Sequence, residues 1–336
     1  MATLYLDRKG ASLRLEGDTV VPRVGEDRAR AVPIRLLDGV VVAADSSLSS
    51  GLLTRLAAEG VPVSILNTRD PESSLHIAPW SGQNGARRLR QYEEFRSDEK
   101  RVPWARRLVR AKLASQMRLL VAARRQRADA AKPLFDGIAT LRGVIGQTRG
   151  AQPFGLDQLR GLEGAGAAAY FHALESLFPP SMEFHGRNRR PPRDPVNVCL
   201  SLGYTLIHAE ALRQIGVACL DPFLGFLHDP QPGRASLACD LVEIERARVD
   251  RWVWTLVRER TLRTEHFQSK DGRCLLGKAG RGIFYQEYEL FRTGTERRFR
   301  RWVRVFVKAL YGAAPGAWIP AFGSEETPNE TTLSGA

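Results

Sequence analysis

Segment 191–246, PPRDPVNVCLSLGYTLIHAEALRQIGVACLDPFLGFLHDPQPGRASLACDLVEIER, places His228, Asp240 and Glu243 inside a window of sixteen residues. On a helix Asp240 and Glu243 stand three positions apart and share a face. Two carboxylates on one face with an imidazole nearby suit a hard divalent cation such as Mg²⁺ or Mn²⁺. Most carboxylate pairs at this spacing are ordinary surface acids. Asp240, however, is set among Leu237, Ala238, Cys239 and Leu241, where an unpaired charge is costly. A buried carboxylate needs a partner, and a metal is one. His228 ends the apolar run FLGFLH just before Asp229 and Pro230. A histidine so placed is commonly a satisfied core residue, but the loop leading into the Asp240 helix is also a good origin for a convergent ligand. Asp229 before a proline reads as a turn residue.

The elements that must position these residues divide the chain in two. Over the first eighty residues TLYLD, ASLRLEG, TVVPRV, AVPIRLLDGVVVAAD and VPVSILN give short apolar runs or alternation, punctuated by Gly, Asp and Pro. SSLSSGLLTRLAAEG reads as a helix with a serine cap and Gly60 at its end. WSGQNGARR (80–88) reads as a linker. Helical spacing follows over about 94–130, with a break expected at Pro103, then over 134–147, 155–177, 197–216, 238–263 and 284–311. EFHGRNRRPPRDP (183–195) reads as a loop, Asn197 as a helix-start residue and SKDG as a turn. The polar tail reads as disordered. The expected fold is α+β: a small β-rich domain (1–80), a linker (81–90), a larger all-α domain (91–315) and a tail (316–336).

At 336 residues the chain can bury a substantial core. Its formal net charge of +13 points to a polyanionic partner. Residues 86–130 alone carry 14 basic and 5 acidic side chains, too one-signed for salt-bridge lacing and suited to tracking phosphates. RNRRPPR (187–193) and TERRFRRWVRVFVK (295–308) add arginines, with Phe299 and Trp302 as core anchors at a spacing of three. No stretch is long and apolar enough for a membrane span, and MATLYLDRKG lacks a signal-peptide core, so a cytoplasmic location is expected. Cys199, Cys219, Cys239 and Cys274 form no C-x-x-C pair and read as buried free thiols.

Four ordered blocks carry a resemblance to a known family. They are LRGLEGAGAAAYF (159–171), RRPPRDPVNVCLSLGYTLI (189–207), LDPFLGFLHDPQPGRASLACDLVE (220–243) and KDGRCLL (270–276). Together they cover most of the second half, and the chain resembles the CRISPR-associated integrases, the adaptation nucleases called "Cas-one". The resemblance implies that Glu163, His228 and Asp240 ligate the metal, with Glu243 as an accessory acid. Small residues around Glu163 would let a helix or a phosphate backbone approach closely; without the resemblance Glu163 reads as merely exposed. The family often continues with Arg-Pro after the acidic pair, whereas here Glu245, Arg246 and Ala247 follow. Arg246, one turn along the same helix, could hold the scissile phosphate.

A divalent ion at this site would neutralise charge in the transition state and lower the pKa of an attacking hydroxyl. The site could then cut DNA with water or join it with a DNA 3′-hydroxyl. The resemblance further implies a homodimer through the β-rich domain and assembly with a small CRISPR adaptation partner protein. A non-catalytic DNA-binding scaffold and a branched-DNA repair nuclease are the competing readings, and phosphate contacts alone do not separate DNA from RNA.

Overall fold

The computed structural model describes residues 2–67, 74–77, 85–149, 155–188, 191–270 and 272–311. The tail, Arg189, Arg190, Asp271 and part of the 80–88 stretch lie outside them.

The amino-terminal part is built from β1 (Ala2–Leu6), β2 (Ala11–Glu16), β3 (Thr19–Val24), β4 (Asp27–Arg28), β5 (Val32–Pro33), β6 (Leu37–Val42), β7 (Ser46–Leu48), α1 (Ser50–Ala58), β8 (Val63–Ile65) and β9 (Leu75–Ile77). One sheet runs in the order β1-β6-β8-β9, with β1, β6 and β8 parallel and β9 antiparallel at the edge. The other runs β4-β3-β2-β7, with β5 also on β3. A parallel central strand is covered on both faces, and β6 meets that demand with the continuous run Val40, Val41, Val42. The Ser49 hydroxyl caps α1 by accepting the Leu52 N–H at 3.2 Å, and Gly60 takes the positive φ of 73° past its end.

The helical part comprises α2 (Gly85–Arg96), α3 (Asp98–Arg124), α4 (Ala131–Gln147), α5 (Leu156–Glu175), α6 (Pro195–Val217), α7 (Ser236–Arg258), the hairpin β10 (Phe267–Lys270) and β11 (Arg273–Leu276), and α8 (Lys278–Leu310). This part is therefore mostly rather than wholly helical, since β10 and β11 pair as a two-stranded antiparallel ribbon packed against α6. Pro103 does not break α3. It falls in the second turn, where it forfeits one bond near the helix start. The stretch read as a linker ends inside α2, whose buried Gln91 bonds the Asp221 and Leu224 carbonyls and the Asp221 N–H.

Two glycines let the site helices approach. A Cβ on Gly166 of α5 would lie 2.3 Å from Leu113 of α3, and one on Gly203 of α6 would lie 2.7 Å from Val249 of α7. Of the small-residue run after Glu163, Gly166 thus serves helix packing, whereas Gly164 faces open space. The β-rich part docks on α8: Tyr5 stacks on Tyr285 with centroids 4.5 Å apart and donates to Glu289 at 2.6 Å. Arg292–Asp38 (3.1 Å) and Arg281–Asp7 (3.3 Å) flank that contact. All four cysteines are free; Cys199 and Cys274 are buried, whereas Cys219 and Cys239 are only partly so.

Candidate metal and phosphodiester site

Asp240 sits in the second turn of α7 and is 0% exposed. Oδ2 accepts the Phe226 and Leu227 N–H groups at 2.5 and 3.1 Å. Oδ1 accepts the His228 N–H at 3.1 Å and lies 2.6 Å from His228 Nδ1. A carboxylate at that distance accepts, so Nδ1 carries a proton, and in the neutral imidazole the lone pair is on Nε2. The partner that the sequence required for this buried acid is supplied by the loop before α7.

That loop is strapped from three helices. Arg101 of α3 donates to the Phe226 carbonyl at 2.9 Å and to Asp229 Oδ1 at 2.5 Å. Arg160 of α5 reaches the Leu227 carbonyl at 2.9 Å and Asp229 Oδ2 at 2.5 Å. Ser236 of α7 donates to the Asp229 carbonyl at 2.9 Å. Asp229 is therefore an anchor for two arginines rather than only a turn residue. Partial burial opposes its ionisation, but Arg101 and Arg160 outweigh this and lower its pKa. Gly225 completes the strap, because a Cβ there would meet the Ser236 backbone at 2.7 Å and Asp240 Oδ2 at 2.8 Å. Gly225→Ala is expected to cost about 1–3 kcal/mol by overpacking, seen as a lower melting temperature; an unchanged melting temperature would contradict this close fit.

Glu163, on α5, and Glu243, one turn beyond Asp240 on α7, converge on one cationic group, the Lys112 ammonium of α3. Lys112 Nζ lies 2.5 Å from Glu243 Oε2 and also bonds Glu163 Oε1. Burial works against the Glu243 charge, yet Arg246, Lys112 and His228 together hold its pKa down at about 2. Arg246 places a guanidinium nitrogen 3.1 Å from Glu243 Oε1 and lies over the Tyr204 ring at 4.8 Å, its side chain only 21% exposed. It is turned into the protein beside Glu243.

Two turns below the acid pair, Tyr170 of α5 donates to Asp250 Oδ2 of α7 at 2.6 Å, and Tyr204 of α6 donates to Oδ1. Burial raises the Asp250 pKa to about 6 against the opposing pull of these hydroxyls, Arg187 and Arg246. A raised folded-state pKa gives stability that is fully present below the ordinary value near 3.8 and is lost as pH rises through about 6. Asp250→Asn should therefore gain on the native protein as pH rises from 4 to 7, measured by denaturant unfolding at each pH; parallel pH curves would contradict this.

The basic segments divide once they are placed. Arg101 and Lys112 face inward among Trp104, Leu108 and Leu119, and Arg187 donates to Asn197 and Ser201. Asn197 is itself wholly buried, and the residue that caps α6 is Asp194. Arg298 is taken up by Glu245 at 2.7 Å. Arg118 and Arg124 of α3, Arg125 just past its end, and Arg297, Arg301 and Arg304 of α8 are exposed. Partial burial and the nearness of Arg149 and Arg106 lower the Arg110 pKa, which marks a crowded cationic face.

Among the described residues no three His, Cys, Asp or Glu side chains form a metal cluster, and Lys112 stands between Glu163 and Glu243. The donor set nonetheless fits a hard divalent ion: two carboxylates from different helices share one cation position, and a neighbouring imidazole is oriented by Asp240. Lys112, Arg101, Arg160 and Asp250 were not read from sequence as site residues. Their signal lay in charges at apolar-stripe positions, as in the i, i+3, i+7, i+11 series Arg101, Trp104, Leu108, Lys112.

Residues 4–290 match the family model described as CRISPR associated protein Cas1. A CRISPR-associated endonuclease Cas1 of Thermodesulfovibrio yellowstonii is 34% identical over 291 residues, spanning 86% of this chain and 91% of that one. A casposase bound to integration product superposes with a TM-score of 0.75 at 22% identity, covering 92% of this chain and 90% of that one. A Cas6-RT-Cas1–Cas2 complex chain gives 0.78 at 19% identity, covering 94% of this chain and 35% of that one. The extent of the family match, together with a relative of this identity over most of both chains, shows that the chain belongs to the CRISPR-associated Cas1 family.

Proposed function

We propose that this protein is a metal-dependent DNA endonuclease and integrase that inserts short DNA fragments into a CRISPR array. The observation that carries the reading is the convergence of Glu163 and Glu243 on one cationic position beside an imidazole held by Asp240. We assign Glu163, His228 Nε2 and Glu243 to ligation of Mg²⁺ or Mn²⁺. Asp240 fixes the tautomer and aim of His228, since its oxygens already accept three backbone N–H groups and Nδ1. Arg246 steadies Glu243. A bound ion would supply charge neutralisation at the phosphodiester and a lower pKa for the attacking hydroxyl. The exposed arginines of α3 and α8 hold the DNA backbone, which gives affinity without sequence preference.

The family resemblance supports a homodimer through the β-rich region and a cytoplasmic setting. The Cas1–Cas2 assembly of a fold neighbour supports a small adaptation partner. No helix among the described residues is long and apolar enough to cross a membrane. The preorganised acid pair favours an enzyme over a scaffold, and the same site would serve a branched-DNA nuclease, so substrate geometry decides between those two. The test is strand transfer of a labelled duplex with 3′-hydroxyl ends into a supercoiled repeat-bearing plasmid, with Mn²⁺ and the partner protein. Joined products that vanish with chelator support integration. Nicking without joining indicates a nuclease on other DNA, and binding with neither product indicates a scaffold.

A further inference from the structure

Lys112 was expected to belong to a phosphate-tracking surface, yet it is almost completely buried, its side chain 7% exposed. Its place is dictated by α3, where Ala111 and Leu113 flank it in the core and Gly166 draws α5 against Leu113. The ammonium emerges between Glu163 of α5 and Glu243 of α7, within ion-pair distance of both. Three helices thus meet at a single positive charge. Resting on the metal-site reading above, we propose that Lys112 is a resident counter-ion of the acid pair, which the incoming divalent cation must displace.

Two carboxylates at a partly buried site repel one another, and Arg246 pairs with Glu243 alone, so with no cation between the two acids the helices that carry them would be pushed apart. Lys112 cancels one of the two charges and holds the acids close, so the site is kept assembled before a metal arrives. A divalent ion cancels both charges, but it cannot share the position with an ammonium a few ångströms away. Loading therefore expels Lys112, and the lost ion pairs are subtracted from the metal's binding free energy. The lysine stem has four rotatable methylenes and an ammonium that is not geometrically fixed to a carboxylate, so it can withdraw without moving α3. A guanidinium, with its planar fork, would hold the pair more firmly. The outcome is a site preorganised in the metal-free protein at the expense of affinity for its ion.

The test is Mn²⁺ titration calorimetry on the full-length protein without DNA, alongside thermal melts with and without Mn²⁺. Lys112→Met is expected to melt below the native protein when metal-free, to bind Mn²⁺ at least about tenfold more tightly and to gain more in melting temperature on loading. Lys112→Arg keeps the charge and should bind Mn²⁺ no more tightly than the native protein. Should the Met variant fail to fold by circular dichroism, Lys112→Gln carries the same expectation with a neutral side chain that can hydrogen-bond both acids. Glu163→Gln is the control for the site itself. Mn²⁺ binding weakened by Glu163→Gln but not strengthened by either neutral Lys112 variant overturns the role of Lys112 alone. Mn²⁺ binding indifferent to Glu163→Gln overturns the metal-site reading and this inference with it.

Discussion

Glu243→Gln is expected to abolish metal-dependent strand joining while leaving the fold intact. The amide matches the carboxylate in size, keeps an oxygen for Lys112 and leaves Arg246 on Tyr204, so packing is conserved. What is lost is a negative charge that the protein maintains against burial, with a pKa held at about 2. Loss of one of two ionised ligands to a hard cation removes several kcal/mol of charge stabilisation. At about 1.4 kcal/mol per decade this is roughly 10³-fold in rate or more. Joined and nicked products would be quantified over time with the melting temperature measured in parallel. Activity within tenfold of the native protein would remove Glu243 from the ligand set.

Asp240→Ala should differ in kind. This carboxylate accepts three backbone N–H groups and the His228 imidazole from a fully buried position. Removing it strands those donors, at about 1–3 kcal/mol for each buried group left without a partner. Relaxation of the loop would recover part of that, leaving a net loss of about 3–5 kcal/mol, as when one side of a buried pair is deleted. For a chain of this size the melting temperature should fall by roughly 4–7 °C, and activity should fall with it because His228 loses its aim. Asp240→Asn should recover only part, since an amide nitrogen cannot accept from a donor. A normal melting temperature with lost activity would instead mark Asp240 as a direct metal ligand. The contrast with Glu243→Gln therefore separates a ligand from a residue that positions one.

Much of the fold was legible from residues in series. The valine run of β6, the Ser49 cap and Gly60 end of α1, and the spacing of Leu134, Ile138, Leu141 and Ile145 in α4 are local patterns, and local patterns survive without knowledge of the tertiary structure. The α2 helix was not legible. Its anchor is Gln91, whose partners lie some 130 residues away in the chain. The β10–β11 ribbon was reduced to its turn because four-residue strands give too short a pattern to be distinguished from loop.

For the site, the resemblance brought together Glu163, His228, Asp240 and Glu243, and the reading of LACDL was sound in requiring a partner for Asp240. It could not say which partner. A backbone N–H has no sequence signature, so a loop that folds onto a carboxylate looks the same in sequence as a metal that binds it. Charge summed over a helix hid the same distinction in α3. Arg101 and Lys112 counted towards its basic excess, although their positions on the apolar stripe turn them inward to Asp229 and the acid pair.

The most direct test of this account is anomalous diffraction at the manganese edge from crystals of the full-length protein grown with Mn²⁺. The account predicts a peak bounded by Glu163, His228 Nε2 and Glu243, with Asp240 still bonded to the 226–228 backbone and outside the ion's immediate ligands. A peak coordinated by Asp240, with the loop released from it, would contradict the assignment.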